Sequence, residues 1–224
     1  MAVGGRYALM WSGGKDSALA LHRARAQGLD VVRLLNFYEA ETGRVRFHAT
    51  PVEMIEAQAK ALGIEITCSG TTWAGMPGVL EAQLGDLHGE GFTGVVLGDI
   101  HLADVRAWYE TRVRAAGLEH VEPLWGEPPP GLLDEFVRVG GRAVVTCVDL
   151  ERLDASWLGR TVDESFVADI AGTGVDACGE NGEYHSFAFA GPFFAHPVEW
   201  ERGETRTEGR FAQLDVVIDP RRRR

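Results

Sequence analysis

The chain contains 224 residues, of which 45% are hydrophobic and 25% are charged, a composition typical of a globular protein with one large domain or a large and a small one. It has no apolar stretch long enough to span a membrane and no signal-peptide pattern at the N-terminus, so we expect a cytoplasmic protein without a membrane partner. The formal net charge of −11 disfavours non-specific nucleic-acid binding, and we expect no nucleic-acid partner.

Predicted strands and helices alternate through the first half of the chain. In chain order they are a strand at residues 7–11, a helix ending near Gly28, a strand at 31–35, a helix from Pro51 to about residue 62, a strand at 64–68, a helix at 78–88, a strand at 95–97 and a helix at 102–116. Gly63 is expected to cap the second helix. The alternation predicts an α/β fold with a doubly wound, mainly parallel sheet of five strands.

A proline-rich break at residues 127–131 separates this half from a segment of different character. Beyond it we predict a helix at residues 132–139, a buried strand at 143–148 and a closing strand at 211–218, with more turns between them. Residues 1–126 and 127–224 are therefore interpreted as a larger α/β domain and a smaller C-terminal α+β domain. The basic run at residues 221–224 is expected to be a solvated terminus.

A short polar loop between the first strand and the first helix is the clearest functional signal. It consists of Ser12, Gly13, Gly14, Lys15, Asp16 and Ser17. Paired glycines bring backbone N–H groups close to an anion, and hydroxyls, a lysine and a helix N-terminus favour the same ligand. Asp16 is interpreted as a Mg²⁺ ligand or as an N-terminal helix residue. The loop does not match the Walker A pattern, so it predicts a phosphate site of another kind.

A second segment, residues 174–186, is dense in glycines and polar groups. Glu180, Glu183 and His185 are candidates for a base, a metal ligand or a hydrogen-bond anchor. The alternative is a surface turn with solvated acids. Cys178 lies in this segment, but the chain has no C-x-x-C pair, which excludes a zinc ribbon and favours buried, reduced thiols.

Ser12–Ser17 resembles the signature loop of the PP-loop ATP pyrophosphatases, a group of adenine nucleotide alpha hydrolase-like proteins. Residues 178–185, followed by Gly191-Pro192, resemble the C-terminal signature of the diphthine–ammonia ligase (diphthamide synthase) family. Gly98-Asp99 and Phe47-His48 resemble further family elements in the same order. The resemblance extends over about residues 6–195 and is strongest with the short bacterial members.

The resemblance implies ATP and Mg²⁺ as cofactors, with ATP cleaved between its α- and β-phosphates. In that family a carboxylate of diphthine, a modified histidine of elongation factor 2, is adenylated and then amidated by ammonia. Here the implied partners are ammonia and a carboxylate-bearing acceptor, either a protein side chain or a small molecule, and a homodimer is compatible with the sequence. Residues 1–126 then form the ATP-binding domain, and 127–224 form the substrate-binding domain.

The resemblance also implies a role for each candidate residue. Ser12–Ser17 would hold pyrophosphate and Mg²⁺, with Lys15 and Asp16 acting in catalysis, and the backbone near Asn36 and Phe37 would meet adenine. Gly98 and Asp99 would lie near the phosphates, and His48 would touch nucleotide or acceptor. Catalysis would also use Glu180, Glu183 and His185. The acceptor-binding positions are Asp176, Cys178, Gly179, Glu180, Asn181, Gly182, Glu183, Tyr184 and His185.

Two other functions remain open on the sequence. One is a PP-loop enzyme that modifies RNA or a small metabolite, against which the acidic charge and the lack of paired cysteines argue. The other is a non-catalytic ATP- or AMP-binding regulatory protein, against which the acid-rich segment argues.

Overall fold

The first sheet is built from strands of the N-terminal half, flanked by helices. The structure, a computed structural model, describes residues 5–218, so the predicted basic tail lies outside the described residues. The strands are β1 (Arg6–Met10), β2 (Asp30–Glu39), β3 (Arg44–Val45), β4 (Glu65–Thr71), β5 (Gly94–Val96) and β6 (Glu119–Val121). The helices are α1 (Lys15–Ala26), α2 (Val52–Leu62), α3 (Met76–Gly89) and α4 (Ala103–Ala115).

Five strands of this sheet run parallel in the order β4-β2-β1-β5-β6, and the short β3 pairs antiparallel with the end of β2. The α/β fold with a mainly parallel sheet is therefore confirmed. Strand β6 supplies the fifth parallel strand, although the sequence pattern did not identify it. The predicted cap of α2 is also confirmed, because Gly63 adopts the left-handed conformation with φ +66°.

The second sheet is antiparallel and belongs to the C-terminal half. Its strands are β7 (Arg142–Asp149), β8 (Thr161–Val162), β9 (Tyr184–Ala190), β10 (Glu201–Glu208) and β11 (Phe211–Val217), with helices α5 (Pro129–Arg138) and α6 (Glu164–Ile170). Strand β7 is central: it pairs with β11 and β8, and also with β9. This sheet confirms the predicted C-terminal α+β architecture. The proposed boundary after residue 126 falls between β6 and α5.

The two halves pack closely together and share backbone hydrogen bonds. The N–H of Ala188, on β9, donates to the carbonyl oxygen of Gly13 at 2.8 Å, and the N–H of Ala195 donates to the carbonyl oxygen of Ala61 at 2.8 Å. One hydrophobic core extends from buried residues of α1 and α2 to those of β7 and β9. Strand β9 of the second sheet therefore contacts the glycine loop directly.

None of the helices in the described part of the chain is both long and apolar enough to cross a membrane.

Candidate functional site

A cavity of about 680 Å³ opens where β1, β2 and β5 end. Ligands of parallel α/β sheets bind beyond the carboxyl ends of the strands, so both the place and the size suit a small-molecule site. Most predicted site residues line it: Ser12, Lys15, Asp16, Ser17, Asn36, Phe37, His48, Gly98, Asp99, Cys178, Gly179, Glu180, Tyr184 and His185. The cavity lining does not include Gly13, Gly14, Asp176, Asn181, Gly182 or Glu183.

The glycine loop leads directly from β1 into α1. Helix α1 begins at Lys15 with Gly14 as its N-cap, and the hydroxyl of Ser17 donates to the carbonyl oxygen of Gly14 at 2.9 Å. Gly13 has a φ of +83°, and a Cβ at this position would lie 2.5 Å from Cδ1 of Ile55, so the turn requires glycine. Because the first turn of α1 lines the cavity, its partial positive charge is available to an anion.

Gln58, on α2, ties the loop to both sheets. Its side-chain nitrogen donates to the carbonyl oxygens of Gly13 at 2.9 Å and Ala188 at 2.6 Å, and its oxygen accepts from the indole N–H of Trp11 at 2.8 Å. Gln58 is fully buried, and both of its side-chain N–H groups and its side-chain oxygen have a partner within the protein. Gln58 is not among the residues predicted from the sequence.

The ammonium group of Lys15 is buried among groups from both halves of the chain. It donates to Asp16 Oδ2 at 2.9 Å and to the carbonyl oxygen of Cys178, and it lies 4.8 Å from the ring centroid of Tyr184. Burial alone would lower the pKa of Lys15, but the charge of Asp16 and the other neighbours outweigh it, so its pKa lies well above the ordinary value. Lys15 is therefore positively charged at neutral pH.

Three of the four carboxyl groups that line the same cavity have raised pKa values. Burial and the charges of Glu180 and Glu122 raise the pKa of Asp99 from 3.8 to about 7. Burial also raises the pKa values of Asp16 and Glu180, and the charge of Asp16 adds to the shift at Glu180. Within residues 5–218, no group of three or more metal-ligating side chains is arranged to hold a metal ion. Acidic side chains therefore cluster at this cavity, but the described side chains do not form a complete metal site on their own.

The polar turn at residues 176–183 is held mainly by its own acids. Asp176 Oδ1 accepts from the N–H groups of Cys178 at 2.8 Å and Glu180 at 3.3 Å. Glu183 is 1% exposed and accepts from the N–H of Asn181 at 3.0 Å. Glu183 thus acts as the hydrogen-bond anchor that the sequence left as one of three options, whereas Glu180 reaches the cavity and accepts from the N–H of Ile100 at 3.0 Å.

Two histidines from different halves lie side by side in the cavity wall. The rings of His48 and His185 have centroids 4.7 Å apart, and Nδ1 of His48 lies 3.3 Å from the carbonyl oxygen of Ser186. Loss of solvation lowers the pKa of His48 to about 4, against the opposing effect of that contact. Loss of solvation, together with His48 and Lys15, also lowers the pKa of His185 well below its ordinary value. Both imidazoles are therefore neutral at neutral pH.

Exposed aromatic rings form the mouth of the cavity. Phe47 and Trp73 are 61% and 73% exposed, and their centroids are 6.3 Å apart in an edge-to-face arrangement. Phe47 also stacks on His185 at 6.2 Å. Its φ of +64° is unusual for a bulky residue and indicates a backbone held by its surroundings. From the sequence, Phe47 was noted only as part of the Phe47-His48 pair that resembles a family motif, and no role was predicted for it.

Gln58, which does not line the cavity, and two aromatic residues that do line it were not predicted from the sequence. Gln58 interrupts the apolar face formed by Met54, Ile55 and Ala59 on α2, and a polar residue in such a face is a detectable signal. Trp108 and Tyr109 on α4 line the cavity. They follow no recognisable motif, because their positions depend on how α4 packs at the sheet edge.

Comparisons with known proteins cover both halves of the chain. The family model described as "Diphthamide synthase N-terminal domain" matches residues 5–120, and the model described as "Diphthamide synthase C-terminal domain" matches residues 128–216. Diphthine–ammonia ligase from Bos taurus is 24% identical over 237 residues, covering 95% of this chain and 89% of the bovine protein.

Proposed function

The chain belongs to the diphthamide synthase family, and on that premise we propose that it is an ATP-dependent amide ligase. It activates a carboxylate as an acyl-adenylate and transfers ammonia to it, as the name of the bovine relative suggests for diphthine. The acceptor is a carboxylate on a protein side chain or on a small molecule.

The observation that carries this proposal is the joint construction of the cavity from the glycine loop and the C-terminal turn. Lys15 and the first turn of α1 line one part, while Glu180 and His185 line another. The positive helix end and the buried ammonium suit the phosphates of a nucleotide. The turn lies beside them, where an acceptor would have to meet the α-phosphate.

The cavity residues also fit Mg²⁺. This ion is commonly held by one or two carboxylates together with substrate phosphates, rather than by a cage of protein ligands. Asp16 and Asp99 line the cavity, and burial and nearby acids raise their pKa values. Their charged forms are therefore disfavoured, and a cation beside them would stabilise those forms. Asp16 is the proposed ligand and Asp99 the second candidate. Bound there, Mg²⁺ would stabilise the charge of the leaving pyrophosphate.

In the proposed reaction, an acceptor carboxylate oxygen attacks the α-phosphorus, the bond to the bridging oxygen breaks, and pyrophosphate leaves. Ammonia then attacks the acyl carbon, the C–O bond to AMP breaks with its electrons going to AMP, and the nitrogen loses a proton as the amide forms. Lys15 and the loop hold the pyrophosphate, and the backbone of β2 near Asn36 and Phe37 holds adenine. His185 is neutral at neutral pH, so a ring nitrogen is available to accept a hydrogen bond from the incoming ammonia.

The products of ATP cleavage test the proposal. The protein is incubated with α-labelled Mg–ATP, ammonium and either a diphthine-bearing protein or a panel of small carboxylates. We expect pyrophosphate to be released once the acceptor is present, free AMP and sustained turnover only when ammonium is added as well, and an amidated acceptor by mass spectrometry. ADP and phosphate as products would contradict cleavage between the α- and β-phosphates.

A matched pair of variants strengthens the test. Lys15→Met removes the buried charge and should abolish AMP formation, whereas Lys60→Met, on the exposed side of α2, should leave it unchanged. Stoichiometric co-purified RNA would instead favour RNA modification, and nucleotide binding with no turnover on any acceptor would favour a regulatory role.

A further inference from the structure

The phosphate-loop lysine is held by groups that lie far along the chain. Cys178 provides a carbonyl oxygen as an acceptor for Nζ of Lys15, and Tyr184 places its ring centroid 4.8 Å from the same atom. Lys15 is 3% exposed and Tyr184 is 1% exposed. The ammonium group therefore packs against the C-terminal half, and its position depends on residues outside the loop.

The ring of Tyr184 is itself fixed on three sides. Its hydroxyl donates to the carbonyl oxygen of Ala177 at 2.7 Å, and its ring packs edge-to-face with Phe166 at 5.3 Å. Gly179 lies against the ring: a Cβ on this residue, whose φ is +72°, would lie 2.8 Å from Cδ1 of Tyr184. Since the backbone of Tyr184 also pairs with Val148 of β7, the ring is a rigid surface.

The carbonyl oxygen of Cys178 is fixed in a similar way. The N–H of Cys178 donates to Asp176 Oδ1 at 2.8 Å, and its thiol donates to the carbonyl oxygen of Pro129 at 3.3 Å. Both ends of the residue are thus tied down, and the carbonyl group has little freedom to turn away from Lys15.

From these contacts we propose that Tyr184 is a positioning residue for Lys15: its ring face and the Cys178 carbonyl form a cage that places the ammonium group at the phosphate site. The face of an aromatic ring attracts a cation, and burial strengthens that attraction. The inference rests on the proposed function, because it assumes that Lys15 binds phosphate. It also gives Tyr184 a role in the nucleotide site rather than in contact with the acceptor.

Ligand binding tests this role with two variants. Tyr184→Phe keeps the ring and loses the hydroxyl, whereas Tyr184→Leu loses the ring. We expect Tyr184→Leu to weaken binding of Mg–pyrophosphate and of a non-hydrolysable Mg–ATP analogue about tenfold by calorimetry, and Tyr184→Phe to stay within about threefold of wild type. Equal affinities in Tyr184→Leu and wild type would overturn the inference.

A double-mutant cycle separates positioning from general loosening of the fold. If Tyr184 acts through Lys15, Tyr184→Leu will cause no further loss of ligand affinity in a Lys15→Met background. The same tenfold loss in that background would overturn the inference. Phe166→Leu is the control, because Phe166 packs edge-to-face with Tyr184 and is not among the groups that hold the Lys15 ammonium. A loss of affinity equal to that of Tyr184→Leu would show that packing alone is responsible and would overturn the inference.

A spectroscopic readout requires no ligand. A methylene group close to a ring face is shifted upfield in proton NMR, so the Lys15 side-chain signals, assigned by their absence from Lys15→Met, should be upfield in wild type and Tyr184→Phe and near ordinary values in Tyr184→Leu. Ordinary chemical shifts for the Lys15 side chain in wild type would overturn the inference that Lys15 is held against the ring. If wild type bound neither nucleotide nor pyrophosphate, the proposed function would fail, while the NMR shift would still decide whether the cage exists.

Discussion

Replacing Gln58 by methionine tests how the glycine loop is held. The side chains are similar in size, so the change removes hydrogen bonds without opening a large cavity. Gln58 bonds the carbonyl oxygens of Gly13 and Ala188 and the indole N–H of Trp11. The carbonyl oxygen of Gly13 keeps a partner in Gln58→Met, because it also accepts from the N–H of Ala188 at 2.8 Å.

The cost follows from the two groups that lose their partner. These are the indole N–H of Trp11, which is 2% exposed, and the carbonyl oxygen of Ala188, a residue that is fully buried. An unpaired buried polar group costs about 1–3 kcal/mol, so Gln58→Met should lower the free energy of unfolding by about 2–6 kcal/mol. That is a large part of the ~5–15 kcal/mol stability of a typical protein.

Urea denaturation followed by tryptophan fluorescence measures this difference. Met54→Leu is the matched control, because Met54 is a fully buried residue of the same helix and a volume-conserving apolar change costs less than about 1.5 kcal/mol. If Gln58→Met destabilised the protein no more than Met54→Leu, the hydrogen bonds of Gln58 would not be what holds the loop.

Three further predictions concern the cavity and the turn beside it. The pKa of Asp99 is raised from 3.8 to about 7, so this group binds more protons in the folded than in the unfolded state between about pH 4 and 7. Its contribution to stability should fall as pH rises through this window, and Asp99→Asn should remove this part of the pH dependence, no more than about 4 kcal/mol in pH-dependent denaturation curves. Gly179→Ala should lower the free energy of unfolding by more than about 2 kcal/mol, because the new Cβ would lie 2.6 Å from the carbonyl oxygen of Tyr184 and the residue has a φ of +72°. Gly182→Ala is the control: its φ is +85° but no atom lies within 4 Å of the new Cβ, so only the backbone strain of about 1 kcal/mol should appear in thermal denaturation. Glu183→Gln should lower the free energy of unfolding by about 1–3 kcal/mol. It should leave ATP affinity within about threefold of wild type in calorimetry, since Glu183 does not line the cavity. Loss of ATP binding without loss of stability would show instead that Glu183 belongs to the nucleotide site.

The elements that the sequence predicted well are those with a strong local signal. Helix α2 combines an apolar face with a glycine cap, and β5 is a run of buried valines. Strand β6 was missed because its three residues are Glu119, His120 and Val121, which show no apolar run. Its place in the sheet comes from pairing with β5, which is a tertiary contact.

The candidate site likewise contains residues that the sequence predicted and residues whose role it did not predict. The glycine loop was identifiable because its residue types are consecutive and each has a physical reason. Glu183 was grouped with Glu180 because the two acids are close in sequence. In the folded turn, Glu183 accepts a hydrogen bond from the turn's own backbone, whereas Glu180 lines the cavity. Direction of that kind is set by the fold of the turn, so the spacing of acids did not predict it.

The contacts of the loop also show why its motif alone does not define the site. The backbone N–H of Lys15 donates to Ser186 Oγ at 3.3 Å, its ammonium group is held by Cys178 and Tyr184, and the carbonyl oxygen of Gly13 accepts from Ala188. All of these partners belong to the C-terminal half. A separate N-terminal half would lose these contacts and would keep only Gln58 as a partner of the Gly13 carbonyl oxygen and Asp16 as a partner of the Lys15 ammonium group. Phosphate binding and acceptor recognition are therefore expected to require both halves of the chain together, with Lys15 as the residue they share.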